Sequence, residues 1–99
     1  MRKGYWIVAY RSVSDESALK RYGELAIPAI EAGGGRFLIR AAADTIEARE
    51  SGLTQRLVVT EFESLHKAIA TYNSDAYQQA LRALGAGADR DFRIVEGAS

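Results

Sequence analysis

The sequence predicts an α+β fold, a ferredoxin-like βαββαβ sandwich with a four-stranded antiparallel sheet. Two observations carry this prediction. Four short runs of β-branched and aromatic residues alternate with segments whose apolar residues recur at helical spacing. Glycine-rich breaks at 33–35 and 85–87 follow each helical part, where a residue with positive φ is easiest for glycine. Ninety-nine residues are expected to make one domain, 1–99.

In the first half, residues 5–10 (YWIVAY) have the composition of a strand. Ser14 is the expected N-cap of a helix that ends at glycines 33–35. Pro28 lies inside this helix and predicts a kink or a restart. Residues 36–40 (RFLIR) form the second predicted strand. One helical face is lined by Leu19, Tyr22, Ala26 and Ala29.

In the second half, residues 41–55 have no clear period and form the longest predicted loop. The third strand is predicted at 56–62 (RLVVTEF). Ser64 is expected to cap the helix that follows it, and residues 73–75 (NSD) provide the cap of another. The last strand is predicted at 92–96 (FRIVE). These elements complete the two β-α-β halves of the sandwich.

The predicted strands are apolar on both faces. In the first strand, Tyr5, Ile7 and Ala9 point to one side, and the three residues between them point to the other. The helices of this fold lie on one face of the sheet only, so the second face would leave an apolar patch in water. A second copy of the same sheet is the simplest cover, and we expect a homodimer. The alternative is that loop residues 42–55 cover this face, but they are mostly small or charged.

Composition excludes several classes of function. Thirteen Lys and Arg balance thirteen Asp and Glu, so no net positive field favours nucleic acid or an anionic membrane. Without cysteine there is no disulfide or thiolate site, and His66 is the single histidine, so neither a metal nor a cofactor is expected. The first apolar run is too short for a signal peptide or a membrane span, which makes cytoplasmic the expected location.

A set of short motifs is spread over nearly the whole chain. The motifs are Tyr5-Trp6-Ile7, Tyr22, Gly34-Gly35-Arg36, Glu61-Phe62, Ser64, Ala68, Tyr72-Asn73-Ser74, Tyr77-Gln78 and Val95-Glu96-Gly97. Together they resemble the family of domain of unknown function 1330. This resemblance implies a ferredoxin-like protomer that forms a dimeric α/β barrel, and it implies no catalytic residue. The chain departs from the family pattern at Glu63, which follows Glu-Phe where the family often has proline, and at 43–54.

Glu61 is the strongest catalytic candidate. It shares a strand face with Leu57 and Val59, and a carboxylate against apolar surface is disposed to act as a general acid or base. Tyr77 lies near the start of the helix that follows the predicted cap at residues 73–75. We expect its hydroxyl to reach Glu61 as a second catalytic group. The alternative for Glu61 is a strand-end ion pair with an arginine.

Binding candidates come from the second strand and from the aromatic residues. Arg36 and Arg40 are predicted to share one strand face, where either could hold a substrate carboxylate or pair with Glu61. Trp6, Tyr10 and Tyr22 are candidates for the wall of a pocket between sheet and helices; the alternative is that they are core.

Three functions remain open from the sequence. The first is an enzyme that acts on a small organic molecule by cofactor-free acid–base chemistry. The second is a non-catalytic dimeric module that binds a small ligand, and the third is an interaction protein whose pocket is filled by side chains. A cavity of roughly 300 Å³ or more, reached by Glu61 and Tyr77, would favour the first two functions, whereas a space filled by Trp6, Phe37 and Phe62 would favour the third.

Overall fold

The computed structural model describes residues 2–99 and confirms the predicted α+β fold and its order of elements. Every predicted strand is present, and the first and last extend beyond the predicted bounds. The elements are β1 (Gly4–Val13), α1 (Glu16–Ala32), β2 (Arg36–Ala41), β3 (Leu57–Phe62), α2 (Leu65–Asn73), α3 (Asp75–Leu84) and β4 (Ala88–Glu96).

The four strands form one antiparallel sheet in the order β2-β3-β1-β4, which is the topology of a ferredoxin-like sandwich. The alternation predicted for β1 is confirmed, because Trp6, Val8 and Tyr10 are buried while Ile7 is exposed. We call the face of Trp6 the inner face, since the helices pack on it. The face of Ile7 is the open face.

Helix α1 differs from its predicted form at two positions. Asp15, not Ser14, is the N-cap: its carboxylate accepts a hydrogen bond from the Ala18 amide at 3.0 Å, while the Ser14 hydroxyl donates to the Ala86 carbonyl. The helix also continues as one element through Pro28 to Ala32, so it does not restart there. Pro28 is exposed, so water can bind the backbone carbonyl that loses its partner one turn earlier.

A β-bulge in β2 changes which side chains share a face. Arg36 pairs with Glu61 and Phe37 with Thr60, but the next pair is Ile39 with Val59, so Leu38 is an extra residue. The insertion shifts the two-residue alternation by one position. The prediction that Arg36 and Arg40 share a face is therefore wrong: Arg36 lies on the open face and Arg40 on the inner face.

The core lies between the inner face and the helices and is rich in aromatic rings. The ring of Trp6 lies 4.9 Å from that of Phe62 and 4.8 Å from that of Tyr77, centroid to centroid. Its indole N–H donates to the Ala68 carbonyl at 2.9 Å, which fastens α2 to β1. The same cluster includes Tyr72 and Phe92. Such pairs contribute about 0.5–1.5 kcal/mol each beyond the area they bury.

The open face carries exposed apolar side chains, as the sequence predicts. Ile7, Leu38, Ile39 and Val95 have 36–45% of their surface accessible. Residues 42–55 do not bury them; this segment holds one 3-10 turn at Ala43–Thr45, and its Leu53 is itself 69% exposed. Among residues 2–99, no helix is both long enough and apolar enough to cross a membrane.

Candidate functional site

A partly open cavity of about 120 Å³ lies between α1 and the inner face of the sheet. One wall comes from α1 and the other from side chains of all four strands, together with Arg56 just before β3. The lining residues are Trp6, Val8, Tyr10, Leu19, Tyr22, Gly23, Ala26, Ile27, Ile30, Phe37, Arg40, Arg56, Val58, Thr60, Arg90 and Phe92.

Local periodicity explains most of this wall. On α1, the lining positions fall at three- and four-residue steps that repeat along one helical stripe, with Gly23 in its middle. On β1 they alternate, as do Val58 and Thr60 on β3. Gly23 leaves a gap in the stripe, because a methyl group built there would meet no atom within 4 Å. The cavity therefore exists partly because α1 has no side chain at this position.

A chain of three polar groups lies along the inner wall. The hydroxyls of Tyr22 and Tyr77 are 2.7 Å apart, and the Arg90 guanidinium donates to the Tyr22 hydroxyl at 3.0 Å. Tyr22 and Arg90 line the cavity, whereas Tyr77 is fully buried behind Tyr22. This chain gives the cavity hydrogen-bond donors on a mostly apolar wall, to which Arg40, Arg56 and Thr60 also contribute polar groups.

Burial controls the protonation of these phenols. It raises the pKa of Tyr77, and the neighbouring Tyr22 phenol raises it further. Burial also raises the pKa of Tyr22, against the opposing effect of the Arg90 charge. Both hydroxyls therefore stay protonated at neutral pH, which suits them to donate hydrogen bonds and not to remove protons.

Three arginines at the cavity are held against aromatic rings. The Arg40 guanidinium carbon lies 3.9 Å from the Phe37 ring centroid, and that of Arg56 lies 4.9 Å from the Tyr10 ring. Arg90 lies 4.8 Å from the Tyr22 ring and is also close to Tyr10 and Phe92. These are cation–π distances, so each side chain is oriented before any ligand arrives.

Sequence reasoning missed Arg90 and placed Arg56 only as the first residue of the predicted third strand. The signal for Arg90 was its position two residues before Phe92, which places both on one strand face. The strand was predicted to begin at 92, but β4 begins at Ala88, because residues 90–91 still pair with β1 and residues 88–89 pair with it again beyond a bulge at Arg11.

Glu61 lies on the open face, away from the cavity. Its carboxylate accepts a hydrogen bond from Arg36 at 2.9 Å and another from the Tyr5 hydroxyl at 3.1 Å. The predicted pair of Glu61 with Arg36 is confirmed. The expected approach of the Tyr77 hydroxyl to Glu61 is wrong, since neighbouring Thr60 points to the helices and Glu61 must then point the other way.

The predicted site residues thus divide between the two faces. Trp6, Tyr10, Tyr22 and Arg40 line the cavity, and Trp6 is also a core residue. Glu61 and Arg36 lie on the open face, and Tyr77 supports the cavity wall from behind. The catalytic and binding roles of all seven stay predictions. Within residues 2–99, no group of three or more His, Cys, Asp or Glu side chains could hold a metal ion.

Solved structures share this architecture at low sequence identity. A protein of unknown function from Rhodopseudomonas palustris, RPA0582, superposes with a TM-score of 0.76 at 14% identity, covering 99% of this chain and 84% of that one. A candidate antibiotic biosynthesis monooxygenase from Nitrosomonas europaea gives 0.59 at 14% identity, with 98% and 99% covered. A dimeric ferredoxin-like protein of unknown function from Thermobifida fusca gives 0.51 at 14%, with 95% and 90% covered.

These likenesses establish the ferredoxin-like fold and no more. No curated protein sequence matches the chain. The family profile described as domain of unknown function (DUF1330) matches residues 3–98. Because this match spans nearly the whole sequence and the fold is that of the similar structures, the chain belongs to the DUF1330 family.

Proposed function

We propose that this protein is a homodimer that binds a compact organic molecule in the cavity under α1. The observation that carries the proposal is an apolar, partly open space with polar groups of fixed orientation on its wall. Ligand sites in proteins typically have this character, a mostly hydrophobic lining with a few placed donors. The cavity is smaller than the roughly 300 Å³ expected for a ligand site and neither Glu61 nor Tyr77 lines it, so the proposal rests on its open, partly polar wall and not on its size.

The size of the cavity limits the ligand. Its 120 Å³ is well below the roughly 300 Å³ typical of sites for drug-sized molecules. An apolar cavity of about 150 Å³ can hold benzene. We therefore expect a ligand no larger than one six-membered ring or a short branched chain, with further atoms extending through the open side.

Binding can be tested with the single tryptophan. Trp6 lines the cavity, so a small molecule that enters it should change the indole fluorescence. A screen of one-ring and branched short-chain compounds should yield molecules that change this signal and also raise the melting temperature, because a ligand of the native state stabilises it. If no compound of this size does either, the proposal is wrong.

The homodimer rests on the open face. Its exposed apolar side chains form a patch of the kind that monomers seldom leave in water, and the similar Thermobifida fusca protein is described as dimeric. Ile7→Asp would place a charge in the middle of this face and should give a monomer in sedimentation experiments. Leu25→Asp, at an equally exposed leucine on α1, should stay dimeric. A wild-type protein that is monomeric at micromolar concentration would contradict the dimer.

Catalytic turnover of the bound molecule is the second candidate function. The Tyr22 hydroxyl and Arg90 could stabilise an oxyanion that develops on a substrate. Within residues 2–99, however, no carboxylate or histidine lines the cavity, so the wall offers no obvious proton acceptor. Binding is therefore favoured over catalysis. Tyr22→Phe separates the two: an enzyme would lose turnover and keep affinity, whereas a binding module would show no turnover to lose.

A further inference from the structure

We infer that the cavity binds a small organic anion, a monocarboxylate with a compact apolar body. This inference rests on the proposed function and adds the chemical class of the ligand. Charge is the first observation. Acidic and basic residues balance over the whole chain, yet the cavity wall has three arginines and, within the described residues, no Asp or Glu.

The second observation is that, within residues 2–99, none of these three arginines forms an ion pair with an acidic side chain. The ion pairs described for residues 2–99 involve Arg2, Arg11, Arg36, Arg49 and Arg93, all of them away from the cavity. Arg40, Arg56 and Arg90 instead rest on aromatic rings. Arginine keeps its charge at any physiological pH, so this positive charge is balanced by solvent or by a ligand.

Arg90 is the most important of the three because it is half-buried. A guanidinium has five N–H donors, and the one hydrogen bond described for Arg90 uses a single nitrogen, toward the Tyr22 hydroxyl. The guanidinium carbon lies 4.8 Å from the Tyr22 ring centroid and 5.3 Å from that of Phe92, and these ring contacts use none of the N–H donors that remain. A carboxylate matches the edge of a guanidinium with two parallel bonds.

The rest of the wall requires an apolar body beside the anionic group. Val8, Leu19, Ala26, Ile30 and Val58 line the space next to the arginines. A bare inorganic anion such as phosphate would leave these side chains without contact and would gain nothing from the cavity. The combination of one anionic group and one ring-sized apolar body fits an aromatic or branched short-chain carboxylate.

Benzoate and benzamide form a matched pair of probes, since they share a shape and differ in charge. We expect benzoate to bind with a Kd of about 1 mM, as suits about nine non-hydrogen atoms, and benzamide about tenfold more weakly. Inorganic phosphate should not compete with benzoate. Binding is followed by Trp6 fluorescence and by amide chemical shifts in the wild-type protein.

Arginine variants identify the group that reads the charge. Arg90→Met keeps the apolar stem and should abolish the preference for benzoate, while Arg90→Lys keeps the charge without the fork and should retain part of it. Arg56→Gln, at an exposed position that should not affect folding, is expected to weaken benzoate several-fold. Arg82→Met, on the exposed side of α3, is the control and should change nothing.

The outcomes separate this inference from the proposed function. If benzamide or another neutral fragment binds in the cavity as tightly as benzoate does, the anion inference is overturned while the proposed function stands. A benzoate preference that survives in both Arg90→Met and Arg56→Gln also overturns it. If no molecule of this size binds, charged or neutral, both fail.

Discussion

The gap at Gly23 provides the most direct test of the cavity. Gly23 lines the cavity at the middle of the α1 stripe, and a methyl group added there would meet no atom within 4 Å. In a helix interior, alanine is more favourable than glycine by about 1 kcal/mol. Gly23→Ala should therefore stabilise the protein by about that amount, which corresponds to a rise in melting temperature of roughly 4–8 °C for a domain of this size.

A larger side chain at the same position should occupy the cavity itself. Gly23→Leu adds apolar atoms next to a 120 Å³ space, and burial of a leucine side chain contributes about 1.5–3 kcal/mol relative to exposure. Allowing for imperfect fit, we expect Gly23→Leu to be at least as stable as Gly23→Ala, and to bind benzoate about tenfold more weakly or not at all, because the two compete for one space.

Thermal or urea unfolding measures the stability of both variants, and Trp6 fluorescence measures the binding. Gly23→Ala is the matched control, since it keeps most of the cavity and should keep most of the affinity. The reasoning fails if Gly23→Leu binds as tightly as the wild type, since the ligand would then lie elsewhere. It also fails if Gly23→Ala is destabilised, since the space beside Gly23 would then not be open.

Three further predictions concern other parts of the molecule. Burial raises the pKa of Tyr77 above its ordinary 10.0, so the unfolded state releases its phenol proton at a lower pH than the folded state does. The free energy of unfolding therefore falls as pH rises above about 10, by up to about 1.4 kcal/mol per pH unit for this group. Urea unfolding of Tyr77→Phe should show a shallower fall over the same pH range. Gly4→Ala should be strongly destabilised, by several kcal/mol, because its new methyl group would lie within 3 Å of the Ser64 backbone carbonyl. If this variant unfolds at the same temperature as the wild type, the described packing of α2 on β1 is wrong. Glu61→Gln should leave benzoate affinity unchanged, since Glu61 lies on the open face, and a loss of cavity binding in a titration would contradict that placement.

Local chemistry made much of the fold predictable. Ser64 is the N-cap of α2, and Ser74 is the N-cap of α3. Each serine hydroxyl accepts a hydrogen bond from a first-turn amide of the helix it caps. The alternation of β1 placed Trp6 and Tyr10 on the helix side and Ile7 on the open side. These features depend on residues close together in the chain, so the sequence contains them directly.

The site was predicted only in part, because it depends on how distant elements are aligned. Trp6, Tyr10 and Tyr22 were expected at the cavity, and they line it. The predicted contact between Glu61 and Tyr77 is wrong, because the sequence does not show on which face of the sheet the Glu61 side chain lies. The helix that carries Tyr77 packs on the inner face, and Glu61 points to the open face. Arg90 was missed because the start of β4 is set by its pairing with β1 and not by its own composition.

By itself, the amino-acid sequence determined the α+β class, the order of elements, the caps of α2 and α3 and the apolar character of both sheet faces, since each follows from propensity and short-range periodicity. Only the tertiary structure decided that Arg40 faces the cavity while Arg36 faces Glu61. The reason is that strand alternation predicts which residues share a sheet face only while the pairing register is unbroken. The bulge at Leu38 shifts the register midway along β2, so residues after it lie on the opposite face from the one that alternation predicts. That register places Arg40 on the cavity wall, which Arg56 and Arg90 also line.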